Sequence, residues 1–456
     1  MDWRGKKVAV VGFGIEGEAN AEYLLAAGAL VTVCDKCEAA ALGERYQRWQ
    51  DKVSEWRLGS SYLERLTDFA ALFRSPGVPY LDPNLQAVVK EGVVVTSGTK
   101  EFFERCPAKI VGITGTKGKG TTATLIYKML QADGKPAQLV GNIGNPALAV
   151  LQNIKKDEIV VFELSSFQLQ DLEVSPTLAV VLGVTADHQD HHCSVEEYVA
   201  AKAAIVRFQK ETDFTVVTVD YPTSEHIASE TTGNVLPVST KRQLEYGVYV
   251  TDGGVYRNFG VAESIIENSE VALRGIFNLE NVAAAIAVAS IFEIATEAIV
   301  KVLRSFKGLP HRLAFVRECR GVSYWDNSYA TTPEATIAAL ESFTEPVVLL
   351  LGGKEKGFDY TALAKAILSR PPRAIVAIGE SAATMYSVIK AAAQKNNSTP
   401  PPLLDGGETM VKMVEAASKV ATSGDIVLLS PAAASFDKFK NVTDRGEQFV
   451  AAVNAF

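Results

Sequence analysis

Cysteine is scarce. The chain has 456 residues and five cysteines, Cys34, Cys37, Cys106, Cys193 and Cys319. So few, so scattered, cannot form a disulfide framework, and they point to a reducing compartment. Positive charge is not in excess: Lys plus Arg number 45 against 53 Asp plus Glu, a net charge of −8. No global field attracts nucleic acid or anionic lipid, although local basic pockets for phosphate remain open. No long hydrophobic run occurs. The longest, Val282 to Phe292, is alanine-rich and too short to span a bilayer. The opening Met1–Lys7 has no signal-peptide core and runs at once into a strand-like segment. No repeat at a solenoid period is present. The expectation is a cytoplasmic protein that takes small molecules, without nucleic-acid or membrane partners, acting as a monomer.

What is present is ordinary globular composition, 47% apolar and 21% charged. At roughly 150 residues per domain the length predicts about three domains. Lys7–Gly12 is a β-branched run ending in glycine, Gly17–Gly28 has helical spacing and Leu30–Cys34 is a second strand. Short strands follow at Phe69–Phe73 and Val93–Val95. A second alternation starts near Cys106-Pro107 with a strand at Lys109–Ile113 and a helix at Gly120–Ala132. Glu158–Phe162 and Leu178–Val184 are apolar strands of the buried kind. Ser194, with Glu197 three residues on, predicts a capped helix to about Phe208. Gly247–Arg257 reads as a hairpin turning at Asp252-Gly253. Leu279–Ser290 is a small-residue helix. The Gly/Pro break Lys307–Arg312 opens a third alternation, with strands at Ser323–Trp325, Pro346–Leu351, Ala374–Ile378 and Ile426–Leu429. The fold class is α/β, with parallel sheets and domains at 1–106, 107–309 and 310–456.

Gly112-Ile113-Thr114-Gly115-Thr116-Lys117-Gly118-Lys119-Gly120-Thr121 lies between a predicted strand and a predicted helix. Glycines let backbone N–H groups converge on oxyanions, and the helix N-terminus adds positive potential. Lys119 is placed to reach β/γ-phosphates and Thr121 to offer a hydroxyl to Mg²⁺. The spacing departs from the strict phosphate-loop pattern: Gly112 is one residue too distant from Gly118, and Gly120 follows the lysine.

Gly12-Phe13-Gly14-Ile15-Glu16-Gly17, with Asp35 about 20 residues on, has the form of a dinucleotide fingerprint. Alone it favours NAD(P) and an oxidoreductase. Cys34-Asp35-Lys36-Cys37 is a CxxC without a partner pair, a weak case for zinc or redox work. Asp187–Cys193 concentrates three of the five histidines. That suggests zinc, but adjacent ligands cannot readily surround one ion.

The motifs taken in order carry a stronger resemblance. They are GFGIEG (12–17), SPG (75–77), the glycine-threonine loop, GNIG (141–144), ELSSFQL (163–169), TADHQD (185–190), YVAAK (198–202), NLEN (278–281), GLPHR (308–312), LLLGGKEK (349–356) and LLSPAAASFDKFKN (428–441). The set resembles the Mur ligase and folylpolyglutamate synthase superfamily of ATP-dependent amide-forming ligases. It is most similar to the branch that adds D-glutamate to UDP-N-acetylmuramoyl-L-alanine in peptidoglycan precursor synthesis.

The resemblance implies three domains: a Rossmann-like domain for the UDP-sugar, a central ATPase-like domain, and a Rossmann-like C-terminal domain for the amino acid. It implies ATP contacts from Gly115, Thr116, Lys117, Gly118, Lys119, Gly120, Thr121, Asn278, Asn281 and Arg312. UDP-substrate contacts would come from Gly14, Ile15, Glu16, Asp35, Ser75, Gly77, Asn142, Ser165 and Gln168. Glutamate would meet Thr331, Lys356, Ser435 and Phe436. Two Mg²⁺ ions would be held by Thr121, Glu163, His188 and Lys202, the last as a carbamate, since an ammonium repels a cation. Lys119, Glu163, His188 and Lys202 form the implied catalytic set. Without the motifs, Glu163 reads as a solvated strand end, Lys202 as a solvated helix face, and Asn278 and Asn281 as helix caps. The resemblance further implies a hinge at Lys307–Arg312 whose closure excludes water from the acyl phosphate.

One segment departs from the family pattern. Asn327-Ser328-Tyr329-Ala330-Thr331-Thr332 stands where Asp-Ser-Lys-Ala-Thr-Asn is usual, and Val442 stands where an aromatic occurs. An acid becomes an amide and a lysine becomes a tyrosine. This leaves open a ligase for another amino acid, such as L-glutamate, or a weakly catalytic nucleotide-binding homologue.

Overall fold

A computed structural model of the chain describes residues 1–185 and 194–456. The implied metal ligand His188 lies outside the described residues. By compactness the chain divides into two units, Met1–Glu270 with Glu280–Leu303, and Val271–Leu279 with Arg304–Phe456.

The first unit contains two sheets. The five strands of the first run in the order Glu55–Leu58, Leu30–Asp35, Lys7–Val11, Ala71–Arg74, Val94–Ser97, all parallel. Their central strands are buried on both faces, which is why they read as continuous apolar runs. The second sheet has nine strands. Ala137–Gly141, Ile159–Glu163, Lys109–Thr114, Leu178–Val181, Phe214–Thr218, Asn234–Ser239 and Gly247–Val250 are parallel neighbours in that order. Two antiparallel strands, Gly254–Asn258 and Ala262–Glu267, extend its edge. One continuous core joins the two sheets: Phe102, from the helix Gly98–Arg105, meets Phe162 of the central sheet edge-on, with centroids 5.4 Å apart.

The second unit holds a six-stranded sheet. Its order is Ala314–Cys319, Val322–Asp326, Ile426–Leu429, Val347–Gly352, Ala374–Ile378, Leu403–Asp405, and only the first strand is antiparallel. Helices cover both faces and close two cores.

Several expectations shift in detail. Ser194 does cap the helix Val195–Arg207, accepting the Glu197 N–H at 3.1 Å. The Glu197 carboxylate turns instead to Gln170, whose amide donates to it at 2.6 Å. The complete capping box is Ser165 with Gln168, in the ELSSFQL segment. The helix read from Leu279 begins at Ile276, so neither Asn278 nor Asn281 is its N-cap. The four described cysteines are unpaired by disulfides. Burial pushes the Cys34 thiol up to about 12 and raises that of Cys37, so neither is a reactive thiolate at neutral pH. Among the described residues no cluster fit to hold a metal is formed by His, Cys, Asp and Glu, and no helix is long and apolar enough to cross a membrane.

Candidate active site

The strand Lys109–Thr114 feeds the glycine-threonine loop, and the helix Lys119–Ala132 leaves it. Gly118 is the N-cap at φ +83°, and a Cβ there would lie 2.1 Å from Asn281 Oδ1. Gly115, at φ +154°, would put a Cβ 2.8 Å from the Leu182 side chain. Both positions therefore require glycine. The first helical turn has no acid, so its N–H groups keep their positive potential.

Two lysines converge on one carbonyl. Lys119 Nζ donates to Gly115 O at 3.0 Å and Thr116 O at 3.1 Å. Lys202 Nζ donates to the same Gly115 O at 3.0 Å and to Thr114 Oγ1 at 3.2 Å. Lys202 is only 1% exposed and lies 4.7 Å from the centroid of the Tyr198 ring. The bland expectation for a helical lysine, a solvated face, is overturned. The helix Val195–Arg207 packs this side chain beneath the loop. Both side-chain amino groups are thus drawn to one carbonyl oxygen of the loop.

Glu163 ends the strand Ile159–Glu163, flanked by Ile113 of the loop strand and Gly141 of the next. It is 7% exposed, not a solvated strand end. Thr121 is buried in the second position beyond Lys119. Asn142 is exposed beside this edge, its N–H 3.5 Å from Glu163 O. The parallel register thus gathers Lys119, Thr121, Glu163, Lys202 and Asn142 at the carboxyl ends of adjacent strands.

Asn281 braces the loop, accepting from Thr122 Oγ1 at 3.2 Å. Asn278 donates instead to Arg274 O at 2.7 Å. Glu280, between them, accepts from Gly183 N and Tyr221 OH, each at 3.1 Å, and burial raises its pKa. Gly183 O in turn accepts from Thr116 N at 2.9 Å. Thr116 Oγ1 accepts from Thr185 N at 2.9 Å and meets Tyr198 OH at 3.1 Å.

In the first sheet, a Cβ on Gly17 would lie 2.2 Å from Gly12 O, so close helix–strand packing needs the glycine. Asp35 accepts from Phe13 N at 2.6 Å and Cys37 N at 2.8 Å, bracing the glycine turn. Ser75 Oγ donates to Gly12 O at 2.6 Å. Gly14 and Gly77 face open space on their side-chain positions, and Ile15 is exposed. Gln168 Nε2 donates to Glu16 Oε1 at 2.8 Å, and burial raises the Glu16 carboxyl to about 7 against the lowering field of Arg74. Glu16, Ser165 and Gln168 are thus brought together.

The second unit assembles its own cluster. The helix Val442–Asn454 carries Arg445, fully buried. Arg445 donates to Ser328 O at 2.7 Å, Ser328 Oγ at 3.0 Å and Ala433 O at 3.0 Å. It ties together loops after the strands Val322–Asp326 and Ile426–Leu429, the second of which carries Ser435 and exposed Phe436. Ser435 Oγ is buried with no hydrogen-bond partner among the described residues. Ala432 is held at φ +56°, and such strain concentrates at functional loops. Lys356 is in the loop after Val347–Gly352, where its neighbour Glu355 accepts the Lys356 and Gly357 N–H groups. Lys354 pairs instead with Glu380 at 2.9 Å.

At the departing segment, Asn327 Oδ1 accepts from Leu313 N and its Nδ2 donates to Ser430 Oγ, both at 3.1 Å. The acid one residue earlier, Asp326, meets His311 Nδ1 at 2.6 Å and raises the imidazole pKa. Tyr329 stacks under Arg312, whose guanidinium carbon lies 4.6 Å from the ring centroid. Thr331 follows this turn.

Sequence reasoning missed Arg74, Glu280, Asp326 and Arg445. The first two stood inside or beside quoted motifs. A lone cation closing the otherwise apolar strand Ala71–Arg74 was the readable signal for Arg74. Nothing in the helix Val442–Asn454 singles out Arg445 before packing is known.

Comparison with known proteins gives the family. Residues 6–97 match the MurD-like N-terminal domain of Mur ligases, 113–289 the Mur ligase middle domain, and 311–433 the Mur ligase glutamate ligase domain. A UDP-N-acetylmuramoylalanine–D-glutamate ligase of Acetivibrio thermocellus is 39% identical over 99% of this chain and 97% of its own. The Clostridium tetani protein of the same name is 36% identical over 97% and 95%. Among solved structures, the UDP-N-acetylmuramate-alanine ligase MurC of Thermotoga maritima aligns with TM-score 0.61 at 17% identity, covering 99% of both chains. MurF of the same organism, in complex with ADP, aligns with TM-score 0.60 at 18%, covering 99% of this chain and 96% of that one. These two share the three-domain α/β fold. The chain belongs to the Mur ligase family.

Proposed function

We propose that the protein joins D-glutamate to UDP-N-acetylmuramoyl-L-alanine at the expense of ATP, in peptidoglycan precursor synthesis. The observation that carries this reading is the convergence of half-buried Lys119 and buried Lys202 on Gly115 O, at the mouth of a glycine loop opening a helix. That arrangement suits a triphosphate rather than a dinucleotide redox cofactor. Full-length similarity to ligases with this printed activity supports the same substrates.

The chemistry needs a carboxylate turned into an acylating agent. Its oxygen attacks the γ-phosphorus of ATP, ADP departs, and an acyl phosphate forms. The amine of glutamate then attacks the acyl carbon, phosphate leaves, and the amine gives up a proton. Both steps concentrate negative charge, so positioning and cations dominate. Lys119 and the N–H groups of Gly115–Thr121 bind the phosphates. Glu163 and Thr121 are buried oxygen donors of the kind Mg²⁺ prefers, and His188 and a carbamylated Lys202 complete two proposed sites. Mg²⁺ supplies charge neutralisation on the phosphates when bound. Asn281 and Asn278 serve the adenine side, and Arg312 the phosphates.

Gly14, Ile15, Glu16, Asp35, Ser75, Gly77, Asn142, Ser165 and Gln168 receive the UDP-sugar. Lys356, Thr331, Ser435 and the Phe436 backbone receive the two glutamate carboxylates, which require cationic or N–H donors at both ends. The domains run 1–106, 107–309 and 310–456, and the enzyme acts as a cytoplasmic monomer.

A screen of phosphate release tests this. Release requiring both UDP-N-acetylmuramoyl-L-alanine and D-glutamate is expected. Release with L-glutamate alone would select a variant ligase, the alternative that Asn327 and Tyr329 favour. Absence of turnover with every pair would overturn the ligase assignment.

A further inference from the structure

Arg74 ends the strand Ala71–Arg74 immediately before Ser75-Pro76-Gly77. A guanidinium there would ordinarily reach water, yet its side chain is 1% exposed. It reaches in two directions. Nη1 donates to Val78 O at 2.9 Å. Val78 N donates back to Ser75 O at 3.0 Å, so Arg74 closes the far side of the Ser75–Val78 turn. Nη2 donates to Phe167 O at 2.8 Å and lies 3.1 Å from Asp171 Oδ1, itself buried. The ring of Tyr80 lies 5.6 Å from the guanidinium carbon and shields it.

Phe167 belongs to the short helix Ser166–Leu169, three residues beyond Glu163. Its neighbour Gln168 holds Glu16, from the glycine turn of the first sheet. The same turn is fixed by Ser75 through Gly12 O. The segment after Glu163 is therefore tied to both first-sheet loops, by Arg74 to one and by Gln168 to the other. The Arg74 tether is multidentate, charged and buried, and its planar fork fixes direction as well as distance.

We propose that Arg74 is a positioning residue that locks the Ser75–Val78 loop to the Phe167–Asp171 segment, and thereby sets where a sugar nucleotide held by the first sheet presents its carboxylate to the phosphate loop. This rests on the ligase reading above. Arg74 touches no reacting atom in this scheme; it acts through the two backbone segments it joins. In-line attack on a γ-phosphorus needs reacting atoms about 3–3.5 Å apart, and a misplacement of roughly 1 Å can lower the rate about a hundredfold. A loop register error between the sugar-nucleotide and triphosphate sites would be of that kind.

The test compares wild type with Arg74→Lys, Arg74→Ala and the paired change Arg74→Met with Asp171→Leu. The pair removes both charges of this ion pair together, so neither is left buried without the other. Measured quantities are melting temperature, ADP affinity by calorimetry, and kcat and KM for each substrate. Expected are unchanged ADP affinity in the paired variant, a KM for the sugar nucleotide raised roughly tenfold, and a kcat lowered by tenfold to about a hundredfold. Arg74→Lys keeps the charge but not the fork and should recover only part of this. Normal kcat and KM in a folded variant would overturn the proposal, as would an equal loss of ADP affinity, which marks a merely structural role. A wild-type protein with no ligase turnover refutes the ligase reading instead, a distinguishable outcome.

Discussion

Asn281 Oδ1 occupies the space that a side chain on Gly118 would need, 2.1 Å from its ideal Cβ position. The helix Ile276–Ile291 is therefore a wall of the phosphate loop, and the loop's glycine is required by that wall as well as by its φ of +83°.

Gly118→Ala should strain the loop twice, by conformation and by collision. Each such strain is worth about 1–3 kcal/mol, and 1.4 kcal/mol is about tenfold in affinity. ADP binding measured by calorimetry should weaken at least tenfold. Wild-type affinity in Gly118→Ala would contradict the loop geometry.

The two lysines on Gly115 O make a specific chemical expectation. Conversion of Lys202 to a carbamate would replace a cation beside the loop by an oxygen donor. Mass spectrometry under bicarbonate should show the added carbon dioxide on Lys202, and activity should rise with bicarbonate. Lys202→Ala should lose at least about tenfold in kcat. Full activity in that variant would refute the role. Lys119→Ala should abolish ligation.

Glu16 gives a pH signature. Its carboxyl is raised to about 7 by burial, from an ordinary value near 4.5. The native state thus holds this proton more tightly than the unfolded one. Stability from this group falls as pH climbs from about 4.5 to 7, and the whole penalty is present above 7. Glu16→Gln should stabilise the protein at pH 8, by at most about 2–3 kcal/mol, and change little at pH 4.5. Denaturant unfolding at the two pH values checks this. An equal effect at both would sink it.

His311 has the opposite sense. Its hydrogen bond to Asp326 raises the imidazole pKa. The stabilisation is complete below the unfolded value of about 6.5 and is lost as pH rises through the higher native value. Asp326→Asn should lower the His311 pKa, followed by NMR titration, and remove that pH dependence. An unmoved titration would show that Asp326 is not the cause.

Much of the framework was legible beforehand, because both signals are local. Apolar β-branched runs such as Lys7–Val11 and Ala374–Ile378 announced buried parallel strands, and Ser194 announced its helix. The antiparallel strand Ala314–Cys319 was not legible. It is an edge strand with no fully buried residue, and it contains two charged residues. The Ser194–Glu197 pair suggested a full capping box, but Gln170 supplied a better partner for the glutamate.

Residue order alone determined the glycine-threonine loop between strand and helix, since a strand end, glycines and a helix start are dictated within a few positions. It could not tell that Lys202 is buried under that loop, that Asp326 takes up His311, or that Arg74 and Arg445 are sunk cations holding loops in place. Those depend on partners brought from distant parts of the chain. Burial and charge pairing are properties of the packed state, where removal from water makes each polar group's neighbours decide its role.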